Sequence, residues 1–155
     1  MTLEEIKSTL LSTIETGRIG TPVSLRLYVQ LTKADWNLVD LGVQLLAVAR
    51  VVFDSDVAMI QSQSNARQSQ ISVLAESLTG RTVSLTIGAG HAKEPQFDLL
   101  LVGNHGVARL EGLEDFDESS LSSHQACQSD AFAARLQQSI EESLSSDDAL
   151  RVETL

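Results

Sequence analysis

The stretch from Trp36 to Phe53 is the part of the sequence that most constrains the fold. Its apolar residues recur at helical spacing, and further aliphatic residues flank the main stripe, so this helix would be apolar over most of its circumference. Such a helix must be largely buried, and it therefore needs other elements packed on several sides. The main stripe consists of Leu38, Leu41, Leu45, Val48 and Val52.

The segments on either side of this helix predict strands. Val23 to Leu31 alternates apolar and polar residues, which is typical of a strand with one buried face. Further strand-like runs follow the helix, and most of the connections between them are short. These runs are Val57 to Gln63, Gln70 to Leu78, Thr82 to Gly88, Phe97 to Val102 and Val107 to Leu110.

Two of the connections predict hairpins. Only Thr79-Gly80-Arg81 separates the second of these runs from the third, and Gly103 to Gly106 forms a turn before the last run. Consecutive strands joined by tight turns make a mostly antiparallel sheet. Since helices fall only at the start, after the first strand and at the end, the sequence predicts an α+β fold. We expect an open sheet of about six strands with the helices packed on one face.

Two further helices are predicted. The first has a capping box in Thr2 and Glu5 and a glycine stop at Gly17. The last, Ala131 to Leu144, has apolar residues at a spacing of four, which indicates one buried side. The apolar residues of the two helices are Leu3, Ile6, Leu10, Leu11 and Ile14 in the first, and Phe132, Leu136, Ile140 and Leu144 in the last.

The remaining segments predict irregular structure within a single domain. Glu114 to Asp130 is acidic and rich in serine with little apolar periodicity, which indicates a loop, and the last eleven residues, SSDDALRVETL, are expected to fray. A chain of 155 residues is long enough for one well-formed core. We therefore predict an α+β sheet domain over residues 1–112, with an acidic loop and closing helix over 113–155 packed on the same domain.

The charge distribution argues against nucleic acid and membranes as partners. The chain has a net charge of −10; residues 1–112 hold 11 acidic and 9 basic residues, whereas residues 113–155 hold 10 and 2. Binding to phosphates needs clustered Lys and Arg, which this chain lacks. No apolar run approaches the length of a membrane helix. Because Cys127 is the only cysteine and the N-terminus has no signal pattern, we expect a cytoplasmic protein.

Several short motifs, in this order and spacing, resemble a known family. They are Gly17-Arg18-Ile19-Gly20-Thr21-Pro22, then Asp40-Leu41-Gly42, then Leu101-Val102-Gly103-Asn104-His105-Gly106, followed by the closing helix. Together they resemble the C-terminal domain of the glucose-fructose oxidoreductase and inositol dehydrogenase (Gfo/Idh/MocA) family, without its nucleotide-binding domain. The resemblance implies an open sheet that pairs subunits, and a helix reading D-x-G-x-H-x-x-D that faces the substrate.

The chain departs from the family at the residues that carry its chemistry. Asp40 and Gly42 match the helix motif, but Gln44 stands at the histidine position and Ala47 at the second aspartate position. A carboxamide cannot exchange a proton near neutral pH as imidazole does, so we predict no catalytic residue. The resemblance offers Asp40 and Gln44 as ligand-binding residues, whereas Asp40 is more simply explained by a local structural hydrogen bond.

No cofactor or metal site is predicted. The nearest match to a dinucleotide-binding glycine motif is Ile87 to Lys93, and it leads towards another strand-like run rather than into a helix. We therefore expect a flexible connection there and no nucleotide. His91, His105 and His124 lie apart from one another, without the paired spacing of a metal site.

The sequence therefore predicts a non-catalytic dimerisation or ligand-binding module that is not active alone. We expect a homodimer through the open sheet face, with a separate nucleotide-binding protein as a further possible partner. Two alternatives stay open. One is a small-molecule enzyme using a cavity between sheet and helix, with Asp40 and His105 contributing; the other is an excised fragment of a full-length dehydrogenase.

Overall fold

The computed structural model describes residues 1–110, 116–121, 131–146 and 150–152. No helix in these residues is both long and apolar enough to cross a lipid bilayer. In chain order, the described helices and strands are α1 (Leu3–Glu15), β1 (Pro22–Leu31), α2 (Leu38–Phe53), β2 (Val57–Ser64), β3 (Gln70–Ser77), β4 (Thr82–Ala89), β5 (Gln96–Gly103), β6 (Val107–Leu110), α3 (Ala131–Ser146) and β7 (Leu150–Arg151).

The strands form one open sheet in the order β6-β5-β1-β4-β3-β2-β7. β1 pairs with β4 in parallel, whereas the other neighbours pair antiparallel. The two predicted hairpins, β3–β4 and β5–β6, are both present. The predicted α+β class and mostly antiparallel sheet are confirmed, with the six expected strands and the two-residue β7 added at one edge.

Alternation along the central strands separates a buried face from an open one. Leu27 lies between Leu85 on β4 and Leu99 on β5, and all three are buried. α2 packs against β1, β3 and β4, and α3 packs against β2, so the helices cover this face as predicted. The next residues along the strands, such as Arg26 and Ser84, point to the opposite face.

The start of α1 agrees with the sequence prediction. Thr2 Oγ1 accepts a hydrogen bond from Glu5 N, and Glu5 Oε2 accepts one from Thr2 N at 2.6 Å, which is the predicted capping box. Gly17 follows the helix with a φ of 72°, as expected for the glycine after a helix C-terminus. Leu3, Ile6 and Leu10 are the buried side of α1.

Two segments that were predicted to be irregular contain ordered parts. Within the expected loop from Glu114 to Asp130, residues 118–121 form a short 3₁₀ turn, and Phe116 stacks on Phe97 with ring centroids 4.9 Å apart. The end of the chain was expected to fray, yet β7 pairs with β2, and Val152 is buried with its N donating to Ala58 O. Both segments bury apolar side chains, namely Phe116, Leu121 and Val152. Their neighbours in the sequence are mostly polar, so the hydrophobic pattern did not indicate this burial. Residues 114–115, 122–130, 147–149 and 153–155 lie outside the described residues.

Candidate functional site on the second helix and at its start

The ends of α2 are fixed by side chains from outside the helix. At the start, Asn37 Oδ1 accepts hydrogen bonds from Val39 N at 3.1 Å and Asp40 N at 3.2 Å. At the end, Arg81 Nη1 donates to Phe53 O at 2.7 Å. These bonds satisfy backbone groups that a helix leaves unpaired at its termini, so the face presented by α2 has a defined orientation.

The three residues at the family's site positions share one side of α2. Asp40, Gln44 and Ala47 lie within the regular helix and are all half-buried. The residues facing the core are others, among them Leu41, Leu45 and Val48. The helical spacing predicted from the sequence is thus present, and the three positions form a partly covered stripe away from the sheet.

Asp40 lies in a setting that disfavours its charge. Burial of the carboxyl, with a smaller contribution from Glu141 on α3, raises the pKa of Asp40 above its usual value. A buried acid near another acid is costly to ionise, and the first turn of α2 offsets only part of this cost. Asp40 is therefore a carboxyl that stabilises the fold more when protonated than when charged.

We expect Asp40→Asn to alter the pH dependence of stability. Because the folded-state pKa is raised, the contribution of Asp40 is fully present below the unfolded value of about 3.8 and is lost as pH rises through the folded value. Relative to that of the wild type, the free energy of unfolding of the variant should therefore rise by roughly 0.5 kcal/mol between pH 3 and pH 7. The value is small because the site is partly solvated. Urea unfolding across this range measures the change. The exposed Asp35→Asn is the control, and a gain of equal size there would contradict the assignment.

Gln44 presents an unsatisfied acceptor. Its Oε1 is buried and makes no hydrogen bond to the described residues. A buried carbonyl without a donor costs about 1–3 kcal/mol, so a donor supplied from outside this part of the chain would be stabilising. The amide can accept and donate hydrogen bonds but cannot act as a proton relay.

Two of the motifs that resemble the family lie in the turn before β1 and in the β5–β6 turn, and these two turns are hydrogen-bonded to each other. Thr21 N donates to Asn104 Oδ1 at 2.8 Å, and Asn104 N donates to Thr21 O at 3.0 Å. His105 N donates to Ile19 O at 3.0 Å. The chain entering β1 is thereby fastened to the β5–β6 turn, so these residues have a structural role.

The structure does not bring His105 and Asp40 together. His105 contacts the residues that precede β1, whereas Asp40 lies in the first turn of the helix that follows the other end of β1. A ten-residue strand spans about 33 Å, so a shared site for these two side chains is not formed.

The other histidines and the glycine-containing segment do not assemble a site either. His91 Nε2 lies 3.2 Å from Ser69 Oγ, and the described residues hold no group of three His, Cys, Asp or Glu side chains able to share a metal ion. His124 and Cys127 lie outside the described residues. Gly88 belongs to β4, and Gly90 N donates to Leu31 O. The segment predicted as a flexible connection is thus partly strand, and it leads to β5 rather than to a helix.

A cleft opens where α2 begins and α3 ends. It has a volume of about 510 Å³, within the range of small-molecule sites. Its lining combines apolar side chains with amides and hydroxyls, and the polar groups make up the larger part of the exposed lining surface. We call this the α2–α3 cleft; its lining residues are Trp36, Asn37, Leu38, Val39, Ser64, Gln68, Ile71, Leu144 and Ser145.

Sequence reasoning did not find this cleft or the contact that fixes its tryptophan. Glu118 accepts hydrogen bonds from Trp36 Nε1 at 2.8 Å and from Thr32 Oγ1 at 2.8 Å. Thr32 N and Lys33 N also donate to it. The signal available in the sequence was Phe116 and Leu121 flanking Glu118, two apolar residues that could have indicated a packed turn.

No protein-family model matches the sequence, and no curated protein matches it. Solved structures do match the fold, and several of them are structures of dehydrogenases. The resemblance to the Gfo/Idh/MocA oxidoreductases is therefore confirmed at the level of the fold.

Three of these structures illustrate the similarity. A Thermotoga maritima protein described as a dehydrogenase has 12% identity and a TM-score of 0.74, over 96% of this chain and 62% of its own. The scyllo-inositol dehydrogenase of Lactobacillus casei, with bound NAD(H) and scyllo-inositol, has 13% identity and a TM-score of 0.73, over 96% of this chain and 62% of its own. The myo-inositol 2-dehydrogenase of Lactobacillus plantarum has 11% identity and a TM-score of 0.72, over 95% of this chain and 61% of its own. The chain thus spans less than two thirds of the length of these proteins.

Proposed function

We propose that this chain is a non-catalytic module that pairs with a second copy of itself through the open face of its sheet. The observation that carries this proposal is the sheet itself: α2 and α3 cover one face, and none of the described helices covers the other, which has a mixed apolar and polar surface. Closed two-fold pairing is the commonest way in which such a face is covered. The family resemblance supports the same arrangement.

The open face has residues suited to a flat interface. Across four neighbouring strands, Leu100, Arg26, Ser84 and Leu74 lie side by side in register. Leu74 is 55% exposed and therefore adds apolar area to this face. The small Ser84 in the middle of the row allows close approach of a second sheet, while Leu100 and Leu74 on either side supply apolar area.

The non-catalytic part of the proposal rests on the departures in α2. Gln44 stands at the position where the resembling enzymes have a histidine, and Ala47 replaces an acid. A group that cannot exchange a proton cannot assist hydride transfer from an alcohol by general base catalysis. We expect titration of the chain with NAD and NADP to give no saturable binding in the low micromolar range.

Self-association is the direct test of the proposed function. We expect light scattering behind size exclusion, at micromolar concentration, to give twice the chain mass of 16.7 kDa. Ser84→Lys should raise the dimer dissociation constant at least about tenfold, because it places a second positive charge beside Arg26 within the interface. Ser8→Lys, the same substitution on the exposed side of α1, should leave the mass unchanged. A wild-type mass of 16.7 kDa throughout would exclude pairing.

The alternative is that the chain acts as part of a longer dehydrogenase or beside a separate nucleotide-binding protein. The observation in its favour is that the matched structures are longer than this chain by more than a third of their length. An in-frame G-x-G-x-x-G upstream in the genomic sequence would favour this alternative. The proposed compartment in either case is the cytoplasm, in line with a single cysteine that can form no internal disulfide.

A further inference from the structure

The α2–α3 cleft is separate from both surfaces considered so far. Ile71 in its floor belongs to the buried face of β3, so the cleft lies on the helical side of the sheet, opposite the pairing face. The stripe of Asp40, Gln44 and Ala47 contributes none of its lining. Binding of a ligand in this cleft therefore does not depend on the pairing proposed above.

The side chains that line the cleft are all uncharged, and the carboxylate of Glu118 is bonded to the indole Nε1 of Trp36. The first turn of α2, at Leu38 and Val39, and the last turn of α3, at Leu144 and Ser145, both line it. Because a helix start carries partial positive charge and a helix end partial negative charge, the two fields oppose each other here. A net charge of either sign would lose hydration without gaining a partner.

The apolar part of the lining is the smaller part, and it includes an aromatic ring that is held in place. Leu38 and Ile71 are buried and form the floor. Trp36 is one wall, and Glu118 holds its indole Nε1 at 2.8 Å. A ring held in this way can pack against the flat side of a ligand without losing further rotational freedom, which favours binding.

The rim supplies a donor on one side and an acceptor on the other. Asn37 Oδ1 is occupied by the backbone of α2, while its Nδ2 group makes no hydrogen bond to the described residues and can donate. Ser145 Oγ donates its proton to Glu141 O at 3.0 Å, so its oxygen remains an acceptor. Gln68 adds an amide with both functions.

We propose that the α2–α3 cleft binds an uncharged small molecule with one apolar ring face and an edge that carries both a hydrogen-bond donor and an acceptor. Two kinds of molecule share this chemistry, an aromatic amide and a sugar-type ring. In both, the ring face packs against Trp36 and the floor, and the edge meets Asn37 and Ser145. A carboxylate in place of the amide, or of the hydroxymethyl group of a sugar, loses the donor at that position and brings a charge that the lining side chains do not balance.

The test uses the single tryptophan of the chain as a reporter. The indole Nε1–H of Trp36 gives one cross-peak in the ¹H–¹⁵N spectrum of the labelled protein. Two matched pairs serve as probes: benzamide against benzoate, and methyl glucoside against the corresponding methyl glycoside of glucuronate. We expect a saturable shift with at least one uncharged probe, at a dissociation constant on the order of 1–10 mM, and binding at least about threefold weaker for its charged counterpart. The uncharged probe that binds identifies the ring type.

A matched pair of variants locates the ligand. Ser145 and Ser146 are exposed neighbours at the end of α3, and each donates to the carbonyl four residues back at 3.0 Å. Only Ser145 lines the cleft. Ser145→Ala should weaken binding at least about threefold, and Ser146→Ala should leave it unchanged. No saturable shift up to roughly 50 mM, equal binding of charged and uncharged probes, or equal effects of the two variants would each overturn the proposal.

Discussion

Replacing Gly20 with alanine is expected to lower the free energy of unfolding by about 3 kcal/mol. Gly20 has a φ of 71°, in the left-handed region that a side chain disfavours. A β-carbon there would also overlap Asn104 Oδ1, the acceptor of the 2.8 Å hydrogen bond from Thr21 N. Because the backbone strain and the broken contact add, the loss should exceed that from strain alone. Urea unfolding followed by circular dichroism measures it.

Gly17 provides the matched control for Gly20. Its φ is 72°, and a β-carbon would meet nothing within 4 Å. Gly17→Ala should therefore cost only the strain, about 1 kcal/mol. In an Asn104→Ala background the cost of Gly20→Ala should fall towards that of Gly17→Ala, because the overlapping oxygen is gone and only the His105 ring, 3.0 Å from the added carbon, remains close. Equal losses from the two single glycine variants would show that the interlocked turns do not contribute as the structure indicates.

The strand and helix pattern was predictable because it depends on local periodicity. Alternation in Val23–Leu31 identified the buried face of β1, and the Thr79–Arg81 connection identified a hairpin. Neither feature says which strands become neighbours. The parallel pairing of β1 with β4 joins residues such as Leu27 and Leu85, far apart in sequence. Contacts of this kind depend on packing against α2, which contacts both strands, whereas β7 joins the sheet at β2 and contacts α3.

The site was predictable only in part for the same physical reason. The shared face of Asp40, Gln44 and Ala47 follows from helical geometry, so the sequence located it. The α2–α3 cleft is formed by three separate segments whose meeting depends on how α3 packs. The separation of His105 from Asp40 likewise depends on the direction of β1 between them, and no spacing in the sequence reveals it.

Replacing Glu118 with alanine should cost about 2–3 kcal/mol of stability. Its carboxylate accepts hydrogen bonds from Thr32 N, Thr32 Oγ1, Lys33 N and Trp36 Nε1. Removal leaves four donors between β1 and α2 without this acceptor, and the two strongest bonds, both at 2.8 Å, involve Thr32 Oγ1 and Trp36 Nε1. The connection leading into α2 should therefore loosen, and the emission of Trp36 should shift to longer wavelength as the indole becomes more hydrated.

Two companion variants separate the role of Glu118 as an acceptor from a general effect of losing charge. Glu118→Gln keeps a carbonyl oxygen for Trp36 Nε1 and should cost only about 1 kcal/mol, with little change in emission. Glu94→Ala removes an exposed acid from the β4–β5 connection and should be nearly neutral, since an exposed charge contributes little. If Glu118→Ala matched Glu94→Ala in stability and left the emission of Trp36 unchanged, the carboxylate would not be what holds the 3₁₀ turn against the start of α2. A loss confined to Glu118→Ala would instead mean that residues 118–121, despite their polar composition, fix the wall of the α2–α3 cleft.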